Sequence, residues 1–291
     1  MKIILSFILI FIQYSVYSQN PSLVQDDLVK LVSGFKFLEG PSADIEGNLY
    51  FSDILQNKIF VWTTEGTLKT VASNTNWGNG VYVNKKGHIY QCEIIGKQIT
   101  LYKDFNTPIP IVTSNANLEL NSPNDIWILP NGGIYFSDPN YSESITKKNE
   151  AVYYIDPTTG KVTQVTHDLL RPNGIVGSYD GAKLYITDHL DNKTWVYQPN
   201  ESGVLKDKKL FTNLGGDGLT LDNEGNVYIT NTKNSSVDIF DASGKLLTEI
   251  KIPEIPANVG FGGKNGHTLF ITARTSLYAI NMRTKWQPKT F

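Results

Sequence analysis

The sequence predicts an all-β protein, a six-bladed β-propeller with four-stranded blades. Three observations support this fold class. Six units of similar pattern follow one another along the chain, each unit holds strand-like segments separated by turns, and no segment shows sustained helical periodicity. Repeats of this length with four strands each are typical of propeller blades.

The first half of each unit has an acidic or amide residue, a short alternating strand, a turn rich in Gly, Asn and Asp, and a second strand with an aromatic residue. The six segments are LEGPSADIEGNLYFSD at 38–53, GNGVYVNKKGHIYQCE at 78–93, SPNDIWILPNGGIYFSD at 122–138, RPNGIVGSYDGAKLYITD at 171–188, GDGLTLDNEGNVYITN at 216–231 and ANVGFGGKNGHTLFITA at 257–273.

A third strand follows in every unit, and a more variable fourth segment completes most of them. The third strands are KIFVW at 58–62, QITLY at 98–102, AVYYID at 151–156, TWVYQ at 194–198, VDIF at 237–240 and SLYAI at 276–280. The sixth unit has only a short tail after its third strand. We therefore expect DLVKLVSGFKF at 27–37 to supply the outer strand of the last blade and close the ring. An open solenoid of β units is the alternative.

The N-terminal segment resembles a signal peptide. One early Lys precedes an apolar stretch from Ile3 to Ile12, and a small residue, Ser18, marks the expected cleavage site. Residues 1–18 are thus predicted to be the leader and residues 19–291 a single propeller domain, secreted or periplasmic. An uncleaved membrane anchor is the alternative, although the apolar stretch is shorter than the roughly 20 residues needed to span a bilayer.

Charge and cysteine content exclude several classes of protein. The chain has 26 Lys and Arg against 28 Asp and Glu without a run of like charges, so we expect no nucleic-acid partner and, after cleavage, no membrane partner. The only cysteine is Cys92, which excludes a disulfide framework. The sequence does not indicate which oligomeric state the protein adopts.

One acidic or amide residue recurs at the start of each unit, 40 to 49 residues after the corresponding residue of the preceding unit. These six anchors are Glu39, Asn79, Asn124, Asn173, Asp217 and Asn258. Because the innermost strands of a propeller line its central channel, residues that precede those strands should converge around the axis. The anchors therefore predict a ring rich in oxygen, with neither thiolate nor imidazole.

Such a ring favours a hard divalent cation. Carboxylate and amide oxygens suit Ca²⁺, which takes six to eight oxygen ligands, whereas zinc usually recruits His or Cys. The alternative is that these residues only form turns, as Asn and Asp often do. Glu39 argues against that alternative, since Glu has no turn propensity that would place it between Leu38 and Gly40.

The motifs resemble those of the gluconolactonase and senescence-marker-protein family, the regucalcin-like six-bladed propellers. LEGPSAD, SPNDIW, GGIYFSDPNY, RPNGIV, GDGLTLDNEGNVYIT and FGGKNGHTLFITARTSLYAI carry the resemblance, which covers residues 35–280 in the expected order. It implies a lactonase with one catalytic divalent cation, usually Ca²⁺, with Mg²⁺, Mn²⁺ and Zn²⁺ as alternatives.

The resemblance also implies roles for individual residues. Metal ligands would be Glu39, Asn124, Asn173 and Asp217, with Asp217 also the catalytic base or nucleophile. Asp125 would support the ligands from behind. Substrate contacts are expected from Asn79, Asn258, Tyr141 and Arg274, and His189 lies in a comparable upper loop.

The predicted activity is the hydrolysis of a sugar-type or other small lactone. The cation would polarise the ester carbonyl, and Asp217 or a metal-bound water would supply the nucleophile. Two other functions stay open. One is a secreted binding module with a structural Ca²⁺ and no turnover. The other is a metal-free propeller of the strictosidine-synthase type, against which the ligand set argues.

Overall fold

A computed structural model describes residues 23–105, 107–141, 150–287 and 291, and the predicted leader over residues 1–18 lies outside these ranges. The described residues form six antiparallel sheets of four strands each, which confirms the predicted fold class. They contain no helix, and therefore none that could cross a membrane.

The blades are numbered here by the order of their inner strands. Blade 1 comprises β2 (Leu38–Ala43), β3 (Leu49–Asp53), β4 (Lys58–Trp62) and β5 (Leu68–Ser73). Blade 2 comprises β6 (Gly78–Val83), β7 (Ile89–Glu93), β8 (Gln98–Tyr102) and β9 (Pro108–Thr113). Blade 3 comprises β10 (Ile126–Ile128), β11 (Ile134–Asp138), β12 (Ala151–Ile155) and β13 (Val162–Gln164).

The second half of the chain repeats this order. Blade 4 comprises β14 (Pro172–Gly177), β15 (Leu184–Asp188), β16 (Lys193–Pro199) and β17 (Leu205–Thr212). Blade 5 comprises β18 (Leu219–Leu221), β19 (Val227–Asn231), β20 (Ser236–Phe240) and β21 (Leu246–Lys251). Blade 6 comprises β22 (Asn258–Gly262), β23 (Thr268–Ala273), β24 (Ser276–Asn281) and β1 (Val29–Ser33).

Ring closure occurs as expected, since β1 pairs antiparallel with β24 and so places the N-terminal segment at the outer edge of blade 6. Glu254, in the loop that leads into blade 6, fastens this joint. Its carboxylate accepts hydrogen bonds from Lys30 on β1 and from Ser276 and Tyr278 on β24. The first and last segments of the ring are thus held through one side chain.

The apolar core lies between neighbouring blades, because the second strand of each blade is buried along its length apart from Tyr50 and Thr268. Outer strands such as β5 and β21 mix buried and exposed residues, as expected for strands with one face in water. We call the end at which the inner strands begin the upper face. The hairpins between second and third strands and the connections between blades lie on this face.

The inner strands begin differently from the prediction, which placed the anchors before them. Glu39, Asn79 and Asn173 lie inside β2, β6 and β14, Asn258 begins β22, and Asn124 and Asp217 precede their strands. The register of the first three shifts just after the anchor. These bulges let the strand continue through the anchor while turning its side chain away from the sheet.

Candidate active site

The structure brings anchor side chains together at the upper end of the central channel. Asn173 Nδ2 donates to Asp217 Oδ1 at 2.8 Å. Asn258 hydrogen-bonds to Glu39, whose pKa is raised first by burial and then by the charge of Asp217. Five anchors are buried and Asp217 is partly exposed, so the ring has one accessible carboxylate. Asn79 and Asn124 are buried beside it, joined through the backbone by Gly80 N, which donates to Asn124 O at 2.7 Å.

Glycine after the anchor allows the blades to approach this closely, a signal that the sequence argument missed. A Cβ on Gly218 would lie 2.0 Å from Asn258 Oδ1, and one on Gly80 would lie 2.6 Å from Asn124 O. Glycine follows the anchor in four blades, whereas blade 6 has Val259 and blade 3 has Asp125 at this position. Its carboxylate accepts from Ile126 N at 2.9 Å and from Ile175 N of blade 4 at 3.2 Å, which fixes it beneath the ring.

Hydroxyl groups on the second strands hold the anchor backbones, and sequence reasoning missed these residues too. Ser52 Oγ donates to Asn79 O and Ser137 Oγ to Asn173 O, in each case across to the next blade. Thr230 Oγ1 accepts from Asp217 N, and Thr272 Oγ1 accepts from Asn258 N. A Ser or Thr at this point recurs in five units, and Cys92 takes the place in the second.

The carboxylates that end several second strands support the loop before the anchor. Asp138 accepts from Asn121 N and Ser122 N, both at 2.8 Å. Asp53 accepts from the backbone N–H groups of residues 36 and 37, and Asp188 from those of residues 170 and 171. The recurring Ser-Asp or Thr-Asp pair therefore positions the polar ring.

The carboxylates in and below the ring would be stabilised by a positive charge. Burial, followed by the negative charge of Asp217, raises the pKa of Glu39 well above its ordinary value. Burial also raises the pKa of Asp217, although His189, Asn173 and Arg274 oppose that change. Burial raises the pKa of Asp125 to about 7 despite its backbone hydrogen bonds. Carboxylates placed so close together out of water are stabilised by a nearby cation.

Upper loops bring several predicted residues to the mouth of this site. Tyr141 has an exposed ring, but its hydroxyl accepts from Asn173 Nδ2 at 2.6 Å. The guanidinium of Arg171 lies 5.2 Å from the centre of that ring and pairs with Glu150 through Nε and Nη2. The pKa of Tyr141 is raised, first by burial of the hydroxyl and then by Asp217, so the phenol stays protonated.

Arg274 and His189 also face the ring from neighbouring blades. Arg274 has an exposed side chain 5.5 Å from the ring of Phe37, and its positive charge lowers the pKa of Asp217. His189 acts on Asp217 in the same direction, and its Nδ1 atom is buried without a hydrogen-bond partner in the described part of the chain.

The donor chemistry fits a hard cation. Within the described ranges no three His, Cys, Asp or Glu side chains are arranged to hold a metal, so a site here depends on amide oxygens. With Asn173 Nδ2 donating to Asp217 and Tyr141, its Oδ1 remains to face a cation. Two carboxylates and two amides, from Glu39, Asp217, Asn124 and Asn173, are oxygen ligands of the kind that Ca²⁺ accepts.

The channel continues below the ring as a second, more apolar space. It is a cavity of about 110 Å³ lined mainly by inner strands, with Asp125 and Asn258 among its lining residues. Trp286 and Gln287 from the C-terminal segment contribute to its lining as well. The polar ring therefore borders this lower cavity through Asp125 and Asn258.

Comparison with known proteins finds similarity to gluconolactonases and lactonases. A family model described as the SMP-30/Gluconolactonase/LRE-like region matches residues 37–275. A gluconolactonase of Zymomonas mobilis is 27% identical over 290 residues, covering 87% of this chain and 81% of that protein. Lactonase drp35 of Staphylococcus epidermidis is 27% identical over 252 residues, covering 81% and 76%.

Solved structures share the fold. A gluconolactonase from Xanthomonas campestris superposes with a TM-score of 0.79 at 25% identity, covering 88% of this chain and 89% of its own. A calcium-binding protein, regucalcin, from Agrobacterium tumefaciens superposes with a TM-score of 0.77 at 18% identity, covering 91% and 96%. At that identity the second likeness concerns the fold alone.

Proposed function

The chain belongs to the SMP-30/Gluconolactonase/LRE-like family, and on that premise we propose that it hydrolyses a small lactone, a cyclic carboxylic ester. The proposal depends chiefly on one observation, the hydrogen bond from Asn173 to Asp217 within a ring of anchors that also holds the carboxylate of Glu39 and is otherwise made of amides. Relatives named gluconolactonase and lactonase support the substrate class. Asp217 is partly exposed, so a small ester could reach it from the upper face.

We assign a divalent cation to Glu39, Asn124, Asn173 and Asp217, with Ca²⁺ as first choice and Mg²⁺, Mn²⁺ or Zn²⁺ as alternatives. When bound there, the cation would polarise the ester carbonyl and stabilise negative charge on its oxygen. The assignment is supported by the oxygen donors and by the raised pKa of Glu39, which shows that its charge lacks compensation from the protein.

Asp217 is the residue we assign to the attack on the ester. It is the partly exposed carboxylate of the ring, and Asn173 Nδ2 fixes one of its oxygens. His189 and Arg274 favour its ionised form, in which it can accept a proton from water or attack the carbonyl itself. A lactone is a reactive ester, so a weak but well-oriented base is sufficient.

Residues around Asp217 position the substrate. The protonated Tyr141 hydroxyl can donate a hydrogen bond to an ester oxygen, and His189 Nδ1 can bind a second oxygen. Asn79 and Asn258 complete the ring as partners for water or substrate, and Arg274 supplies positive charge at the mouth. Asp125 supports the ring from below through its two backbone hydrogen bonds.

Proton release from glucono-1,5-lactone and from unsubstituted five- and six-membered lactones tests this function. We expect turnover by the wild type and a loss of roughly 100-fold or more in Asp217→Asn and Asn124→Ala, because the first removes the proposed base and its negative charge and the second removes a proposed ligand. Asn234→Ala, at an exposed hairpin residue of the upper face, is the matched control and should retain full activity. Cation binding without hydrolysis of any lactone would instead favour a binding module with a structural cation.

We also propose export of the chain, since residues 1–18 have the pattern of a cleavable leader. N-terminal sequencing of protein recovered from the periplasm or medium should begin at Gln19. Recovery of the intact leader in the membrane fraction would contradict export and support an anchor.

A further inference from the structure

Large apolar side chains are exposed preferentially on the upper face. Seven of those exposed in the described ranges lie in upper loops, against four in lower loops. The upper residues are Leu55, Trp77, Ile95, Tyr141, Leu170, Leu190 and Ile255, and the lower ones are Ile45, Phe105, Tyr179 and Val204. The face that carries the polar ring is thus also the more apolar one.

Trp77 is the residue of this group that lies nearest to the ring in sequence. It precedes β6 and is two residues before Asn79, so their Cα atoms are within about 7 Å of each other. Its side chain is 41% exposed, so burial in the core does not explain an indole at this position. A contact with a bound molecule would explain why an indole is exposed here.

The backbone of Trp77 is held in an unfavourable conformation. Its φ is +57°, in the left-handed region that bulky L-residues rarely adopt, and φ of Asn76 is +51°. Hydrogen bonds fix it there: Trp77 N donates to Asn57 Oδ1 at 2.9 Å, and Trp77 O accepts from Ile94 N at 3.1 Å. Strain of this kind concentrates at functional sites, where the surrounding structure maintains it.

Hydrogen bonds also connect the segment of Trp77 to the two hairpins that expose Leu55 and Ile95. Asn57 belongs to the hairpin that exposes Leu55, and Ile95 N donates to Asn76 O at 3.1 Å in the hairpin of blade 2. We call Leu55, Trp77 and Ile95 the apolar rim. Each is at least 41% exposed, and all three lie in upper loops of blades 1 and 2.

We propose that the apolar rim binds a hydrocarbon substituent of the substrate, so that the lactone carries an alkyl, acyl or aryl group. This inference rests on the proposed lactone hydrolysis and specifies its substrate class. Apart from the single indole N–H of Trp77, the side chains of the rim offer no hydrogen-bond partner to the hydroxyl groups of a sugar lactone. Each methylene that leaves water against the rim should instead raise kcat/KM about four-fold.

The test compares γ-lactones with side chains of zero, two, four and six carbons. For the wild type, kcat/KM should rise with chain length. In Trp77→Asn this rise should disappear, with a loss of at least about 10-fold on the six-carbon lactone and less than about two-fold on the unsubstituted one. The melting temperature should not fall, because Asn tolerates a left-handed backbone better than Trp.

Tyr179→Asn is the matched control, since Tyr179 is an aromatic residue with 49% exposure on the lower face. It should leave the dependence on chain length unchanged. A flat dependence in the wild type would overturn the proposal, as would an equal loss on every lactone in Trp77→Asn. Binding of the wild type, but not of Trp77→Asn, to phosphatidylcholine vesicles with a flat dependence would instead assign the rim to a lipid surface.

Calorimetric binding of two lactams separates this inference from the proposed function, because a lactam resists hydrolysis. If no lactone is hydrolysed, the proposed function fails while the rim is still tested. The wild type should bind 5-hexyl-2-pyrrolidinone at least about 10-fold more tightly than Trp77→Asn does, with weak binding of 2-pyrrolidinone to both. Equal affinity of the two proteins for the hexyl lactam would overturn the rim as a hydrocarbon site.

Discussion

At the scale of single residues, the site depends on carboxylates that the protein itself leaves poorly compensated. Glu39 is buried, and it accepts hydrogen bonds from Gly40 N and from Asn258, both neutral groups. Its pKa is raised by burial and by Asp217. A carboxylate placed in this way destabilises the cation-free fold and becomes favourable when a cation binds.

Glu39→Gln should therefore stabilise the cation-free protein while removing function. Because the pKa of Glu39 is raised in the folded state, its ionised form opposes folding near pH 7, and a neutral amide removes that cost. In the presence of EDTA we expect the melting temperature to rise by about 2–4 °C, whereas lactone turnover should be lost. Thermal unfolding of both proteins in EDTA measures this.

Glu65→Gln is the control for that comparison, since Glu65 is an exposed turn residue outside the ring. It should change neither the melting temperature nor turnover. A lower melting temperature for Glu39→Gln in EDTA would mean that Glu39 serves mainly to hold the fold.

The hydroxyl of Ser137 should contribute more to the free energy of unfolding than an exposed hydroxyl does. Its Oγ donates to Asn173 O and accepts from Asp125 N, so Ser137→Ala leaves two buried backbone groups without that partner. We expect a loss of about 1–3 kcal/mol in the free energy of unfolding. Ser243→Ala, at an exposed turn, should cost less than about 0.5 kcal/mol. Equal costs in urea unfolding would contradict the supporting role of Ser137.

At the scale of elements, the joint between β1 and β24 is sensitive to acid. Burial alone would raise the pKa of Glu254, but hydrogen bonds from Ser276, Thr275, Tyr278 and Lys30 outweigh it and lower the pKa to about 2. A lowered pKa means that the contribution is present above the ordinary value of 4.5 and is lost as the pH falls towards 2.

Glu254→Gln should therefore reduce stability by up to about 3 kcal/mol at pH 6, and by roughly half as much at pH 3. Urea unfolding of both proteins at the two pH values measures the difference. Glu249→Gln, on an exposed part of β21, is the control and should show little effect at either pH. A difference that does not shrink at pH 3 would show that Glu254 acts through packing rather than charge.

The elements were predictable from the sequence because period and turn chemistry repeat in every unit. The third strands β4 and β8 match their predicted ranges, and β1 closes the ring as expected. The bulges at Glu39, Asn79 and Asn173 were not predictable, because they depend on contacts between neighbouring blades. The convergence of the anchors followed from the repeat, but the hydrogen bond from Asn173 to Asp217 depends on side-chain orientation.

At the scale of the whole molecule, the two faces of the propeller differ. The upper face combines a polar ring with exposed apolar loops, whereas a cavity lined mainly by inner strands lies below the ring. Which loops reach the mouth could not be read from the sequence. The position of Trp77, for example, depends on Asn57 in another blade. The repeat predicted the ring, the family resemblance implied the roles of its residues, and neither indicated the rim.

A cation should act on the whole fold as well as on the ring, because its proposed ligands come from four different blades. At a concentration 100 times its dissociation constant, a cation that binds only the folded state stabilises it by about 2.7 kcal/mol. Substitution of one ligand should therefore weaken the thermal effect and turnover together.

The measurement that tests the central claim most directly is a Ca²⁺ titration of the EDTA-stripped protein, with lactone hydrolysis and melting temperature followed in parallel. We predict that both rise with the same midpoint, and that Asn124→Ala shifts both to higher Ca²⁺ concentration. Two results would contradict the claim that the six anchors form a cation-dependent active site. One is lactone hydrolysis that is undiminished in the EDTA-stripped protein. The other is a melting temperature that does not change with any divalent cation tested.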